Sequence, residues 1–262
     1  MKICFKMLPV AVLFCFLPLQ TAYGELNLDR LSDEDIQRVE KLVAKIEPFI
    51  KERDEQKNLA TLTFDELYAQ LNQEEKDFLG QFQSLNASAL NVKIPFRGLA
   101  MGKTELVTIS GQRVKVKGTE EIKELSPQFL PPNVYQQYLK MMEAMERETG
   151  KQLYIESGYR SSAYQLYLFV YYLKNHDYSI RETVKFVALP GYSEHGSPQH
   201  QAVDFINQEG INGEDNPQEF EDLEEYQWLL KNAGQFGFVL SYPKTAEEGI
   251  TFEPWHWRLE VF

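Results

Sequence analysis

The 262-residue sequence predicts an α+β fold, in which a small antiparallel sheet is flanked by helices and preceded by a helical N-terminal extension. Three observations lead to this prediction. From about Glu25 to about Leu90, apolar residues recur at three- and four-residue steps, as they do on one face of a helix. Further along, short stretches of alternating apolar and polar residues indicate strands, with helical stretches between them. A hydrophobic content of 43% is ample for a packed core.

The first 24 residues are predicted to be a signal peptide. Lys2 and Lys6 supply positive charge, residues 7–19 form an apolar run too short to span a bilayer, and small residues lead up to Gly24. A retained membrane anchor is the weaker alternative. Cleavage after Gly24 would remove both cysteines of the chain. The sequence therefore predicts an exported protein, periplasmic or extracellular, with no membrane span and no disulfide after cleavage.

The charge of the chain excludes one class of partner. The formal net charge is −12 and the isoelectric point is near 4.9. Nucleic acids and anionic lipid surfaces are both bound through basic patches. Neither is therefore expected as the main partner, and the acidic surface is interpreted as a solvated one.

Residues 25–90 are predicted to form a helical extension, and residues 91–262 a second domain. Ser32, Thr63 and Asn72 each precede an acidic residue by three positions, a pattern typical of a helix start. Pro48 is expected to end or kink the first helix. Two alternatives stay open for the extension. It packs on the second domain or on itself, or it is a dimerising or site-covering element.

The second domain is predicted to alternate strands and helices. Residues 105–110 and 113–117 alternate around Gly111-Gln112 and are interpreted as a hairpin. A helix over residues 134–149 is expected to stop at Gly150. Further helices are predicted over 163–174, 180–187 and 219–233, and further strands over 151–156, 201–206, 236–240 and 251–261.

Two short stretches of this domain carry residues suited to a metal. One holds His195 and Asp204, and the other holds Glu253 three residues before His256. Two imidazoles and a carboxylate form a mixed nitrogen and oxygen set of the kind that Zn²⁺ binds, and a catalytic zinc keeps a further position open for water. Glu253 is then placed to act as the base for that water. The His-Glu-x-x-His signature of other zinc peptidases does not occur in the sequence.

These stretches resemble the motifs of the VanY-type D-alanyl-D-alanine carboxypeptidases. The matching residues are Ser193-x-His195, Ala202-x-Asp204 and Glu253-Pro-Trp-His256, and upstream Ser157-Gly158-Tyr159-Arg160-Ser161 resembles a further motif of the same family. The family belongs to a wider group of zinc peptidases that also holds lysostaphin-like enzymes and the hedgehog signalling domain. The resemblance covers roughly residues 126–262.

The resemblance implies a reaction and a substrate. A family member of this kind would use zinc to hydrolyse the bond before the terminal D-alanine of a peptidoglycan stem peptide, at a D,D- or an L,D-type bond. Arg160, at the end of a predicted strand, is expected to face the developing oxyanion. Ser193, Gln165 and Ser161 are expected to contact the substrate.

One departure from the family pattern leaves the choice of a ligand open. In the family the His and Asp ligands usually lie seven residues apart, but His195 and Asp204 are nine apart, and His200 stands at a position usually held by Gly. The Ser-x-His context favours His195. His200 is the alternative, because residues 200, 202 and 204 would share one face of a strand. Pro198 makes a strand that starts so early unfavourable.

Two other functions stay open at this point. The first is a peptidoglycan endopeptidase of the same zinc family. The second is a zinc-bearing binding or regulatory module without turnover, for which Glu253 and Arg160 would have no use. Sequence alone does not decide between D,D- and L,D-specificity, the role of the extension or the oligomeric state.

Overall fold

The computed structural model describes residues 25–102, 104–197, 200–245 and 251–260. The predicted signal peptide lies outside these residues. Helices and small antiparallel sheets make up the described chain, which confirms the α+β class. No helix in the described ranges is both long and apolar enough to cross a membrane.

The secondary structure follows the chain in eight α-helices and eight strands within the described residues. The helices are α1 (Asp33–Glu55), α2 (Phe64–Ala69), α3 (Gln73–Gln83), α4 (Pro132–Thr149), α5 (Ser162–Tyr172), α6 (Ile180–Thr183), α7 (Pro217–Glu221) and α8 (Glu224–Asn232). The strands are β1 (Val107–Ile109), β2 (Arg113–Lys115), β3 (Ile122–Glu124), β4 (Gln128–Leu130), β5 (Leu153–Ser157), β6 (Ala202–Asn207), β7 (Phe238–Leu240) and β8 (His256–Leu259).

The helices of the extension start where the sequence predicts. The side chains of Ser32, Thr63 and Asn72 cap α1, α2 and α3, and each accepts a hydrogen bond from the backbone N–H three residues later. The first helix continues through Pro48 instead of ending there. Ile46 and Ile50 on either side of the proline are buried, so packing against the core holds the helix together across the missing hydrogen bond.

A four-stranded antiparallel sheet forms the centre of the second domain, with the strand order β5-β6-β8-β7. All six residues of β6 are buried, as expected for a strand that pairs with a neighbouring strand on each side. Helix α4 ends at Gly150, whose φ of 71° lies in the left-handed region that favours glycine. The predicted α4, α5, β5, β6 and β7 are confirmed within two residues at every boundary.

The predicted hairpin of β1 and β2 is wrong. Strand β1 pairs with β4, and β2 pairs with β3. The reason lies in Gln112, whose buried side chain accepts a hydrogen bond from the N–H of Ile155 and donates one to its carbonyl, both at 2.8 Å. These hydrogen bonds hold the connection between β1 and β2 against β5. The two strands therefore do not pair with each other.

Three other predicted elements are shorter or divided. The last strand starts at His256 and not at residue 251, because the chain turns at Glu253, whose carbonyl accepts from the N–H of His256. The predicted helix over residues 219–233 is divided into α7 and α8, since Leu223 between them has an extended backbone. Helix α6 ends after four residues and is followed by turns.

Among the residues that the structure describes, the buried apolar side chains form two cores. One lies between the sheet and helices α4 and α8, around side chains such as Phe205 and Trp257. The other joins α1, α2 and α3 to α5 and the start of α6, around side chains such as Phe82 and Phe169. The helices of the extension therefore pack directly on the helix that follows β5.

Candidate metal centre

Strand pairing places two of the predicted ligands side by side. Asp204 on β6 and His256 on β8 are register partners in the antiparallel sheet. Facing side chains of such a pair lie on the same side of the sheet. Asp204 Oδ1 and His256 Nδ1 are 2.8 Å apart. The sheet itself, and not a loop, therefore fixes the distance between these two groups.

A short helical turn, Glu194–Gly196, brings the third ligand to them. The turn is held against the end of β5, because Arg160 donates its backbone N–H to the carbonyl of His195 at 3.0 Å. Gly196 has no room for a side chain: a Cβ atom there would lie 2.7 Å from the carbonyl oxygen of Arg160. This close approach sets His195 Nε2 at 3.1 Å from Asp204 Oδ2.

The three side chains form one compact group of potential ligands. Their nearest ligand atoms all lie within 4.8 Å of one another, and all three residues are buried. The imidazole rings of His195 and His256 are almost perpendicular, with 84° between their planes. The structure thus brings His195, Asp204 and His256 together.

The hydrogen bonds of the two rings test whether this group suits a metal. His195 Nδ1 lies 2.8 Å from the carbonyl oxygen of Gly158, which only accepts, so the ring hydrogen is assigned to Nδ1. Nε2 of the neutral ring then directs a lone pair at the carboxylate of Asp204. Two acceptors at this distance are stabilised by a proton or a metal ion between them, so the arrangement is compatible with a metal ion.

His256 has the same arrangement with its nitrogens exchanged. Its Nε2 lies 3.2 Å from Glu194 Oε2, and its Nδ1 faces Asp204. Each ring therefore has one nitrogen bound to an acceptor outside the group and the other turned inward. This is how outer partners orient histidine ligands of zinc. The residues present fit a zinc ion.

The protonation of the group in the metal-free protein follows from burial and charge. Burial lowers the pKa of the His195 imidazole, which stays neutral despite the nearby Asp204. Burial alone would also lower the pKa of His256, but Asp204 and Glu194 raise it to about 10. Burial opposes ionisation of Asp204, yet the neighbouring histidines, of which His256 carries the positive charge, hold the pKa of its carboxyl far below the usual range. A metal bound at His256 Nδ1 would take the place of a proton.

Glu253 lies beside the group without joining it. Its Oε2 is 3.7 Å from His256 Nδ1, and its side chain is 31% exposed, the most open of the carboxylates around His256. Burial, with added repulsion from Asp204 and Glu194, raises the pKa of Glu253 to about 7. A carboxyl group with this pKa can both take and return a proton near neutral pH.

Arg160 reaches the same cleft from the end of β5. Its guanidinium donates to Ser157 Oγ at 3.1 Å and to Gln165 Oε1 at 3.0 Å. Gln165 in turn donates its amide to the carbonyl of Ala188. Gln165 therefore holds Arg160 in position, a contact that the sequence did not predict.

The remaining candidates lie in different surroundings. Ser193 lines the cleft beside the metal turn. Ser161 is fully buried and caps α5, its hydroxyl accepting from the N–H of Tyr164; a substrate contact from Ser161 stays a prediction that this burial does not favour. His200 lies outside the ligand group, with its backbone N–H donated to Ser197 Oγ.

Sequence reasoning missed Glu194, which touches the ligand group directly. This residue is buried, contacts His256 through Oε2 and accepts a hydrogen bond from Arg97 at Oε1. Burial alone would raise the pKa of Glu194, but His256 and Arg258 lower it to about 2, so the carboxylate is charged. Its place in the sequence, between two motif residues, was the available signal.

The ligand group opens onto a cleft of about 1270 Å³. Arg160, Tyr242 and Glu253 lie on its walls near the ligands. Further walls come from the N-terminal extension, including Asp54 and Lys57. The cleft that leads to the metal group is therefore lined by residues of both the extension and the second domain.

A sequence model of one protein family, described as VanY: D-alanyl-D-alanine carboxypeptidase, matches residues 127–260, about half of the chain. The bifunctional D-Ala-D-Ala dipeptidase and D-Ala-D-Ala carboxypeptidase VanXYC of Enterococcus gallinarum is 30% identical over 136 residues, which make up 50% of this chain and 66% of that protein. A D-alanyl-D-alanine carboxypeptidase of Enterococcus faecium is 28% identical over 176 residues, 66% of this chain and 50% of that protein.

The chain spans between 26% and 66% of the length of the curated relatives that it matches. Among solved structures, the LdcB LD-carboxypeptidase is similar with a TM-score of 0.48 and 27% sequence identity. That similarity covers 63% of this chain and 74% of the LdcB chain. The matched family region includes the three ligand residues, Arg160 and Glu253, and it excludes the N-terminal helices.

Proposed function

The chain belongs to the VanY family of D-alanyl-D-alanine carboxypeptidases, and from this membership we propose that it is a zinc-dependent carboxypeptidase acting on peptidoglycan stem peptides. The reaction would release the terminal D-alanine by hydrolysis of a D,D- or an L,D-type bond. One observation supports this most strongly: both imidazoles are bound on their outer side to acceptors and direct their other nitrogen at Asp204. Such a group is built to hold a cation.

His195, Asp204 and His256 would hold the zinc ion through one imidazole nitrogen each and the carboxylate. A zinc ion in this site supplies a Lewis acid that lowers the pKa of a bound water and polarises a carbonyl group. The protein contributes the fixed distances, since β6 and β8 hold two of the ligands in register.

Glu253 is proposed as the general base and acid. Its carboxylate would accept the proton of the attacking water and later deliver it to the amine of the departing D-alanine. In the metal-free protein the pKa of Glu253 is raised to about 7, which supports a role in which this carboxyl group exchanges protons. Its partial exposure toward the cleft leaves it open to water and substrate.

Arg160 is proposed to stabilise the negative charge that develops on the carbonyl oxygen. The guanidinium is held by Ser157 and Gln165 before any substrate arrives, so little reorganisation is needed during the reaction. Ser193, at the cleft wall, is proposed to contact the terminal carboxylate of the stem peptide. Since peptidoglycan lies outside the cytoplasmic membrane, an exported location is part of the proposal.

Mass spectrometry of purified muropeptides incubated with the protein and zinc tests the proposal. Loss of one alanine from pentapeptides indicates D,D-specificity, and loss of one alanine from tetrapeptides indicates L,D-specificity. Cleavage of cross-linked dimers into monomers, with both ends intact, would identify an endopeptidase instead. No change in any muropeptide, with zinc bound, would contradict an enzymatic function on this substrate.

A further inference from the structure

A segment that precedes the matched family region lies directly against the metal turn. We name residues 96–102 the strap. Arg97 donates its backbone N–H to the carbonyl of Gly191 at 2.7 Å, and the ring of Phe96 contacts the ring of Tyr192 edge to face. Both contacts fall on the chain that leads into the turn carrying His195.

A second set of contacts joins the strap to the start of α5. The N–H of Ala100 donates to Ser162 Oγ at 2.9 Å, and the N–H of Ser162 donates to the carbonyl of Ala100 at 2.8 Å. The Cβ atom of Ala100 also fills the space beside Gly196, because a Cβ on that glycine would lie 2.9 Å from it. The strap therefore lies between α5 and the metal turn and is bonded to both.

One side chain of the strap continues to a metal ligand through an intermediate carboxylate. Arg97 Nη2 donates to Glu194 Oε1 at 2.8 Å, and Glu194 Oε2 lies 3.2 Å from His256 Nε2. The carboxylate is 1% exposed, so its charge depends on protein partners and not on water. Arg258, the other nearby cation, lies farther away at 3.6 Å and bonds Glu260 more closely.

We infer that Arg97 and Glu194 are positioning residues for the ligand His256, so that the strap completes the metal centre from outside the region shared with the family. Glu194 fixes the ring by accepting from Nε2, which leaves Nδ1 turned toward Asp204. Arg97 fixes Glu194 by occupying its other oxygen. The inference rests on the proposed function, because it takes the group to be a zinc site.

Zinc affinity measured by competition with a chromophoric chelator tests the inference without using catalysis. Replacing an outer partner of a metal ligand typically weakens metal binding by about 10- to 100-fold. Glu194→Ala is expected to show a loss in this range. Glu194→Gln keeps one acceptor for Nε2 but replaces the oxygen that accepts from Arg97 with an amide donor, so it is expected to recover only part of the loss, down to the level of Arg97→Ala. Arg97→Ala is expected to weaken zinc binding by about tenfold.

Arg113→Ala is the matched control. It removes an exposed arginine of β2 and should bind zinc like the wild type.

A double variant separates action through Glu194 from a general effect on the fold. If Arg97 acts through Glu194, then Arg97→Ala adds little to the loss that Glu194→Ala already causes. The visible absorption spectrum of the Co²⁺-loaded protein should change in both single variants, because the orientation of His256 changes. Melting temperatures of the metal-free variants show whether they are folded.

Three outcomes are distinguishable. Wild-type zinc affinity and an unchanged cobalt spectrum in folded Arg97→Ala would overturn the inference and leave the proposed function intact. Losses from Arg97→Ala and Glu194→Ala that add in the double variant would also overturn it. Failure of the wild-type protein to bind zinc would instead contradict the proposed function itself.

Discussion

Asp204 and His256 face each other across two neighbouring antiparallel strands, with 2.8 Å between carboxylate and imidazole. Both residues belong to strands, Asp204 to β6 and His256 to the start of β8, and the pairing of these strands sets the distance between them. The third candidate ligand, His195, comes from a turn that is held by contacts to Arg160, Gly158 and the strap. Strand pairing therefore positions two of the candidate ligands, and the packing of a turn positions the third.

Removal of the metal should stop the reaction. The purified protein is expected to carry about one zinc ion for each chain, as a site with three protein ligands does. A strong chelator should abolish release of D-alanine, and added zinc should restore it. Elemental analysis together with the rate of alanine release checks this. Full activity in excess chelator, with no metal detected, would contradict a metal-dependent reaction.

Replacement of Glu253 should remove turnover but not the metal. Glu253→Gln keeps the shape of the side chain and loses its basicity, so kcat should fall by about 10²-fold or more, the usual scale of general acid–base catalysis. Zinc content should match the wild type, since Glu253 lies beside the ligand group. Glu143→Gln, on the exposed face of α4, is the control and should react normally. A nearly unchanged rate for Glu253→Gln would assign the base to another residue.

The two histidines near Asp204 should behave differently when each is removed. His195→Ala should lose zinc and activity together, because the structure includes His195 in the ligand group. His200→Ala should keep zinc, with at most a changed KM. Zinc titration of both purified variants makes the comparison. Loss of zinc from His200→Ala, beside normal binding by His195→Ala, would reverse the assignment.

Glu156 should make the stability of the metal-free protein depend on pH. Burial, together with Glu214 and Asp204, raises the pKa of its carboxyl from 4.5 to about 7 in the folded protein. The folded state then binds more protons than the unfolded state between these values, so the contribution of Glu156 to stability falls as pH rises from about 4.5 to 7. Glu156→Gln should therefore melt like the wild type at pH 4 and at a higher temperature above pH 7.

Melting curves of chelator-treated wild type and Glu156→Gln across this pH range check the sign. The control Glu143→Gln removes an exposed carboxylate and should show no comparable pH-dependent difference. A Glu156→Gln difference that stays constant with pH would mean that the carboxyl group titrates normally.

Much of this architecture could be predicted from the sequence because it depends on local signals. Ser32, Thr63 and Asn72 start helices through contacts within four residues, and Gly150 ends one through its own backbone. Strand β6 could also be predicted from neighbouring residues, because Val203 and Phe205 alternate with Ala202 and Asp204 along the chain. The metal-binding residue types were apparent from their chemistry and from the family motifs.

The features that were missed depend on distant contacts. The side chain of Gln112 meets Ile155, 43 residues away, and this contact overrides the hairpin that the local pattern favours. Arg97 and Glu194 are 97 positions apart, and Glu194 and His256 are 62 apart, so no spacing rule within one motif connects them. Each of these is a buried or partly buried polar contact, and its partner becomes apparent only in the folded protein.

The apolar core between the N-terminal helices and α5 means that the region shared with the family is smaller than the folding unit. Leu166 and Phe169 of α5 are fully buried in that core. A chain trimmed to residues 127–260 would expose them to water, at a cost of about 1.5–3 kcal/mol for each large apolar side chain. An exchange of segments between family members would accordingly have to move α5 and its covering helices together.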